Sequence, residues 1–595
     1  MRAPEAILRD VFGFPAFRGV QEQVVREVCA GRDVLLVMPT GAGKSICYQV
    51  PALARAGCGI VVSPLIALMD DQVEALSAAG VRAAAVHSGN PQAGEAMARF
   101  RAGALDLLYV APERAVTDMF REQAGAARIA LLAIDEAHCV SQWGHDFRPD
   151  YRRLRALADQ LPGVPRIALT ATADATTRRD IAEQLGIAPD RIIVSGFDRP
   201  NIFYAASPRR RAGDQALDFV RDRKGRAGIL YCDTRRAAED MAGQLQRSGI
   251  AARPYHAGMD SLERARNQQW FRRTEDGVMA ATIAFGMGID KPDVRFVLHL
   301  CAPRSLEAYA QETGRAGRDG EPADAMLLWS EADAARLLRR IDESSTDETR
   351  KQHERGQVRA MMAFASAATC RRQILLAHFG EADSGPCGAC DNCMDPPRLR
   401  DLSEQARKLL SAVYRTGERF GLGHVAAVLR GEEDERVRRL GHDRLSVFGI
   451  GQDLPAAHWQ RLGRHLEGIG ALRRDPGHGG VGLAPGAVQI LKGSAPVRVR
   501  ADLLDGGRQP RRAGGSAGDG LPREAEARFV ALKAWRRATA EAAGVPAYVI
   551  FHDSTLRAIA QTCPRDLSEL AQIPGVGATK LDRHGTALLA ALAGC

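Results

Sequence analysis

Four short segments in the first 320 residues carry side chains suited to phosphate chemistry. In chain order they are MPTGAGKS (38–45), IDEAH (134–138), LTATA (169–173) and QETGRAGRDG (311–320). In the loop Thr40-Gly41-Ala42-Gly43, the two glycines let backbone N–H groups close on phosphate oxygens. Lys44 sets a cation at the β- and γ-phosphates, and the Ser45 hydroxyl is placed for Mg²⁺. Met38 stands where the strict pattern has its first glycine, so the match is to a variant of this loop. Asp135 is a candidate Mg²⁺ ligand, and Glu136 a candidate base that orients and deprotonates water. An isolated Asp-Glu pair is ordinarily a solvated strand end, but its company with the loop argues for function. His138 stays open between a packing group and a coupling group. Arg315 and Arg318, three apart, are expected on one face of a helix with Gln311. A planar guanidinium there stabilises charge on a transferring phosphoryl group. Gly314 and Gly317 allow close approach, and the competing reading is a surface helix with ordinary salt bridges. The four segments together point to an ATP-driven motor.

A second set of residues points to a metal. Of twelve cysteines, Cys29, Cys47, Cys58, Cys139, Cys232, Cys301, Cys563 and Cys595 are isolated and read as plain thiols. Cys370, Cys387, Cys390 and Cys393 follow the spacing C-x16-C-x2-C-x2-C. Four thiolates so spaced suit tetrahedral Zn²⁺, and a closed ligand set implies a structural role. An iron–sulfur cluster is the alternative that four cysteines leave open.

The elements that must position these groups can be read from hydrophobic pattern. Apolar runs at 33–39, 59–64, 105–112, 130–136 and 166–172 are expected to be buried parallel strands, each followed by a helical stretch. That predicts a doubly wound α/β domain over 1–200. The pattern recurs over 201–340, clearest at 228–234, 278–286 and 294–300. Residues 341–400 hold helices and the cysteines. Residues 401–500 read as a small α/β unit ending in a glycine-rich hairpin at 473–485. Residues 501–520 read as a flexible linker, and 521–595 as helical with a turn at 573–580.

Bulk properties limit the classes. The 595 residues are too many for one core. A hydrophobic share of 45% with 26% charged residues is that of ordinary globular protein. There is no apolar run of membrane-spanning length, and MRAPEAILRD lacks a signal peptide's apolar stretch. A cytoplasmic, nucleoid-associated protein is therefore expected. The net charge of +9 permits a polyanionic partner without requiring one.

With these motifs in place, the chain resembles superfamily 2 helicases, specifically the RecQ family, over nearly its whole length. The segment AIDEAHCVSQWGHDFRPDY (133–151) is similar to that family's aromatic-rich loop. The resemblance implies that Trp143, Phe147, His145 and Arg148 meet single-stranded DNA and couple it to hydrolysis. FGFPAFRGVQEQ (12–23) resembles the adenine-recognition motif, which makes Gln21 the reader of the base edge, although Gly19-Val20 departs from the usual Pro-Gly. Segments 61–73, 109–115, 231–239 and 282–299 are similar to the remaining motor motifs, with Asp290 implied to face the nucleotide. Segment 369–381 resembles the family's zinc-binding subdomain, which favours Zn²⁺ at the four cysteines. Segment 442–454 resembles its winged helix, with His478 at the wing tip. Residues 521–595 resemble an HRDC domain, where Lys580 and Arg583 are candidate DNA contacts. At IPGVGATK, a phosphate-binding hairpin and a plain helix–helix turn both stay open.

The implied fold is two RecA-like doubly wound parallel-sheet domains, a helical zinc-binding subdomain, a winged helix and a small all-α C-terminal domain. The implied activity is 3′→5′ DNA unwinding with ATP, Mg²⁺ and Zn²⁺, in repair, recombination and the SOS response to DNA damage. The implied partners are single-stranded and forked duplex DNA, with a single-strand-binding protein and a topoisomerase by family analogy, and the protein is expected to be a monomer. Two rivals remain: an RNA-dependent ATPase of the same superfamily, which shares IDEAH, and a DNA-binding protein with a dead motor.

Overall fold

The computed structural model describes residues 2–141, 143, 148–285, 291–381, 385–475, 479–501 and 521–594. The expectations for His145, Phe147, Asp290, His478 and nearly all of the 501–520 linker fall outside the described residues. No helix described is long and apolar enough to cross a membrane.

Alternating strands and helices with apolar strands on both faces give two parallel sheets. The first holds β1 (Val34–Val37), β2 (Cys58–Val62), β3 (Ala83–Val86), β4 (Leu107–Val110), β5 (Ile129–Ile134), β6 (Arg166–Thr170) and β7 (Ile192–Val194). Their order is β3-β4-β2-β5-β6-β1-β7. The second holds β8 (Ile202–Pro208), β9 (Gly228–Tyr231), β10 (Ala252–Tyr255), β11 (Val278–Ala281), β12 (Phe296–His299) and β13 (Ala323–Trp329), in the order β10-β11-β9-β12-β13-β8. The central strands β1, β2, β5, β9 and β12 are buried at every residue. Parallel strands covered by helices on both faces require that.

Five of these strands, β3, β7, β8, β10 and β13, were not expected from the apolar runs. β3 is alanine-rich, a composition that suits helix better than strand. β10 contains Pro254, which cannot donate to a ladder, and it lies at a sheet edge, where a proline costs no inter-strand bond. β7 and β8 are edges as well. The run 278–286 is strand only to Ala281 and then turns into a short 3₁₀ segment at Ile283–Phe285.

Beyond the second sheet, helices Glu331–Glu343, Glu348–Ser366 and Arg371–His378 lead to the cysteines. The next unit carries β14 (Leu399–Asp401), β15 (Leu472–Arg474), β16 (Val481–Leu483) and β17 (Arg498–Arg500). β15 pairs antiparallel with β16, Leu472 opposite Leu483, as the expected hairpin. β14 pairs antiparallel with β17 and brings the two ends of the unit together. Its separate core is built around Trp459, whose indole N–H donates to the Gly451 carbonyl at 3.0 Å. The last domain is all helical, with its own core around Phe529, Phe551 and Leu588.

Candidate active site and metal centre

β1 delivers its C-terminal end to the loop at 38–45, and helix Ile46–Ala54 leaves from it. Gly41 and Gly43 have φ of +82° and +84°. These are left-handed values that a side chain would strain. A Cβ on Gly43 would also stand 2.7 Å from Nε2 of Gln21. Lys44 Nζ donates to the carbonyl of Met38 at 3.0 Å, so the ammonium folds under the loop. Burial holds its pKa down, while Glu136 and Asp135 pull it up. Gln21 is buried and donates to the carbonyls of Ala42 at 3.1 Å and Gly43 at 3.2 Å, and it accepts from the Arg18 N–H at 2.9 Å. Its carboxamide here braces the phosphate loop.

Asp135 and Glu136 follow β5 directly. Asp135 Oδ1 accepts from the Glu136 N–H at 2.9 Å. Burial and the adjacent Glu136 carboxylate push Asp135 up to about 7, with Lys44 opposing them. The half-buried carboxylates after β5 and the Ser45 hydroxyl before helix Ile46–Ala54 are oxygen donors of the kind Mg²⁺ takes, and Asp135 and Ser45 would hold it. Glu136 sits at φ 48° and ψ 46°, a left-handed conformation rare for a residue with a side chain. Its Oε2 lies 3.3 Å from Nδ1 of the fully buried His138. The same nitrogen donates to Thr170 Oγ1 at 3.1 Å, and Thr170 donates to the Thr172 carbonyl at 3.3 Å. Burial works against a charge on His138. Cys139 and Glu136 outweigh it and raise His138 to about 10. The histidine therefore links IDEAH to LTATA through a buried hydrogen bond.

The arginines come from the second lobe. The helix that precedes them, Leu306–Thr313, ends at Gly314, and Gly317 takes φ +57°. Arg315 and Arg318 therefore lie in the turns after the helix, not on one helical face as the spacing suggested. The reversal at Gly317 breaks the helical path between the two side chains. Gln311 remains on the helix and is buried. The turn reaches across the interlobe cleft: Arg318 Cγ is 3.2 Å from the point where a Cβ on Gly41 would stand. Arg315 is buried, and its Nε meets no acceptor among the described residues.

The residues expected to meet DNA are partly described. Trp143 packs edge-on against His353, with ring centroids 5.5 Å apart, on the helix Glu348–Ser366. Arg148 immediately precedes the helix Pro149–Asp159, and its side chain donates to the Pro64 carbonyl at 3.3 Å. It thus ties the loop's end to segment 61–73. The turn at 573–580 joins helices Leu567–Ala571 and Ala578–Ala593, a geometry that both readings of IPGVGATK share. The Gly575 N–H donates to the Gly13 carbonyl at 3.2 Å. Lys580 lies with Nζ 5.4 Å above the Phe551 ring and is pushed down to about 8 by burial, while Arg583 is exposed.

The sulfurs of Cys370, Cys387, Cys390 and Cys393 all lie within 4.8 Å of one another, and none forms a disulfide. Tetrahedral Zn–S bonds of about 2.3 Å imply S–S edges of about 3.8 Å, and Cys387 Sγ stands 3.9 Å from Cys393 Sγ. A polynuclear cluster interposes several irons and sulfides and spreads its thiolates farther. Backbone N–H groups of Cys387 and Ala389 donate to Cys370 Sγ and Cys387 Sγ, each at 3.4 Å. Hydrogen bonding from Cys387 holds Cys390 down at about 5. The set fits one Zn²⁺.

Sequence reasoning missed Arg199 and His353. Neither lies in a run that composition or spacing marks. Each acquires its place from residues distant in the chain.

Comparison with known proteins places the whole chain. A DEAD/DEAH box helicase model matches residues 18–181, and a helicase conserved C-terminal domain matches 212–320. A RecQ zinc-binding model covers 331–394, an RQC domain 396–505 and an HRDC domain 525–592. The chain is 41% identical over 593 residues to the ATP-dependent DNA helicase RecQ of Haemophilus influenzae, covering 98% of this chain and 95% of that protein. It is 36% identical over 591 residues to the ATP-dependent DNA helicase RecQ of Bacillus subtilis, covering 98% and 97%. Identity at this level along nearly the full length of both proteins, with all five modules in the same chain, shows that the chain belongs to the RecQ family.

Proposed function

We propose that the chain is an ATP-dependent DNA helicase that unwinds duplex DNA in repair and recombination, and that it moves 3′→5′ along one strand. The observation that carries this reading is the approach of the Arg318 turn to the phosphate loop across the cleft. A nucleotide bound at Thr40–Ser45 would bridge the lobes, so its hydrolysis would be felt as lobe motion.

In this mechanism Lys44 gives up the Met38 carbonyl for the β- and γ-phosphates. Glu136 orients the attacking water and takes its proton. Arg315 and Arg318 stabilise the charge that develops on the phosphoryl group, and Gln311 supports them from the preceding helix. Ser45 and Asp135 would hold Mg²⁺, which would supply neutralisation of phosphate charge. Gln21 reads the adenine edge when the nucleotide enters, and Asp290 faces the nucleotide from the second lobe. His138 passes the state of Glu136 to Thr170 and to Cys139, where the segment carrying Trp143, His145, Phe147 and Arg148 begins. Base–aromatic stacking is sequence-tolerant and contributes about 1–3 kcal/mol per base, which suits a motor that reads no sequence. Cys370, Cys387, Cys390 and Cys393 would hold Zn²⁺, which would fasten the subdomain whose His353 packs on Trp143.

The protein acts as a monomer at the nucleoid, within the SOS response. Forked duplex DNA is its substrate, and a single-strand-binding protein and a topoisomerase are its partners. The domains divide at 1–200, 201–340, 341–400, 401–500 and 521–595.

The test is ATP hydrolysis with and without single-stranded DNA, for wild type and Trp143→Ala, beside unwinding of a labelled fork. Strong stimulation by DNA that collapses in the variant supports a DNA-coupled motor. Equal stimulation by RNA would favour an RNA-dependent ATPase. Absence of hydrolysis under both conditions would leave a binding protein on a motor scaffold.

A further inference from the structure

The segment between the two sheets holds a cation whose bonds are all made to the ATP site's framework. Val194 ends β7, and Ile202 begins β8. Between them, Arg199 uses its five N–H donors fully. Nη1 donates to the Thr40 carbonyl at 2.5 Å and to the Gly314 carbonyl at 3.1 Å. Nη2 donates to the carbonyls of Ala316 at 2.9 Å and Gly317 at 2.8 Å. Nε donates to Asn201 Oδ1 at 3.4 Å. Asn201 in turn donates to the Gly317 and Glu321 carbonyls, each at 2.9 Å.

These partners decide what the residue does. The carbonyls of Gly314, Ala316 and Gly317 belong to the turn that carries Arg315 and Arg318. They follow the C-terminus of helix Leu306–Thr313, the negative end of its dipole, where a guanidinium is favoured. Three of the five bonds therefore fix the arginine-bearing turn, and one reaches the phosphate loop of the other lobe. Burial lowers the pKa of Arg199, and Arg318 nearby adds to that. The linker is itself held from outside the site. Phe197 stacks on Phe379 at 4.5 Å, and Asp198 pairs with Arg372 at 2.9 Å.

We infer that Arg199 is a positioning residue for phosphoryl transfer: it registers the Arg315–Arg318 turn against the phosphate loop through the Thr40 carbonyl. The inference rests on the ATP-site reading above and names what sets its interlobe geometry. A single bond to the first lobe lets Arg199 travel with the second lobe and meet the loop only when the cleft is closed. Only a planar fork reaches carbonyls on both sides together; a lysine at 199 offers three donors from one point.

The experiment measures steady-state ATP hydrolysis with saturating single-stranded DNA for Arg199→Ala, Arg199→Lys and Arg318→Ala in the full chain. Thermal melting and binding of a fluorescent ATP analogue are read alongside. Misplacement of a catalytic group by about 1 Å can cost about 100-fold. The expected result is kcat lower by about 10- to 100-fold in both Arg199 variants. KM for ATP and analogue affinity should stay within about threefold, melting should fall by no more than a few degrees, and millimolar guanidinium should partly restore Arg199→Ala. Wild-type kcat in Arg199→Ala, with Arg318→Ala inactive, overturns the inference and leaves the site reading standing. Wild-type kcat in Arg318→Ala overturns the site reading itself. Joint loss of kcat, nucleotide binding and melting temperature in Arg199→Ala, without guanidinium rescue, makes Arg199 a structural clip and also overturns the inference.

Discussion

Glu136 and Lys44 are each held by the protein itself, Glu136 by His138 and Lys44 by the Met38 carbonyl. Both contacts hold a charged group ready near the point where phosphate arrives. Glu136→Gln keeps the shape and removes the base. Its hydrolysis should fall by about 10²- to 10⁴-fold while ATP binding persists, as filter binding alongside turnover would check. Arg371 gives a different case. It is fully buried, pairs with Asp391 at 2.6 Å and donates to the Phe364 carbonyl at 2.8 Å. Asp391 also accepts from the Ala206 N–H at 3.0 Å. Asp391→Ala leaves the buried Arg371 without its counter-ion and the Ala206 N–H without this acceptor, and should cost about 3–5 kcal/mol, measurable by urea titration.

At the scale of elements, the zinc subdomain and the second lobe are joined by an ion pair that titrates. His378, at the end of helix Arg371–His378, lies 2.6 Å from Glu307, at the start of helix Leu306–Thr313. Burial opposes the charge on each group, but each partner outweighs it for the other. Glu307 is held down at about 2, and His378 is raised above its ordinary 6.5. A depressed acid contributes stability above its unfolded pKa of about 4.5 and loses it as pH falls toward 2. A raised histidine contributes below 6.5 and loses it as pH rises through its folded value. The pair should therefore couple most strongly between about pH 4.5 and 6.5. A double-mutant cycle of Glu307→Gln and His378→Gln should show larger coupling at pH 6 than at pH 9. The cysteine cluster governs the same subdomain. A chelator that removes Zn²⁺ should release protection from amide exchange over 385–394 before either sheet is affected, because metal binding there is folding free energy.

Across the whole molecule, the C-terminal domain sits against both lobes. Arg536, buried, joins Asp553 at 2.7 Å within its own domain to Glu275 of the second lobe at 3.1 Å. Arg557 pairs with Glu321 at 3.0 Å, beside the carbonyl that anchors Asn201. Arg272 pairs with Asp71 of the first lobe at 2.6 Å and donates to Tyr548 of the C-terminal domain at 3.3 Å. On the first lobe, Gly13 at φ +73° would carry a Cβ 2.7 Å from the Gly577 nitrogen. Gly13→Ala should therefore raise hydrogen exchange at 573–577 while the domain's own core stays protected. Gly186→Ala is the control: it shares the left-handed backbone at φ +66°, but its Cβ would meet the Arg155 side chain instead.

The sequence by itself determined the parts whose chemistry is local. The phosphate loop, the Asp135-Glu136 pair and the four cysteines are legible because each needs particular residue types at short, fixed spacing, and the buried strands that carry the first two are continuous apolar runs. The edge strands β3 and β10 escaped the same reading, because β3 is fully buried yet made mostly of alanine, and β10 is only partly buried and carries a proline. Only the tertiary structure decided the rest. It placed Arg315 and Arg318 on a turn, since a glycine's backbone angle is not written in residue spacing. It set the turn at 573–580 on Gly13, and it brought Arg199 to the Thr40 carbonyl, 159 residues away in the chain. Contacts between distant segments are selected by how whole lobes pack, and no local pattern records them.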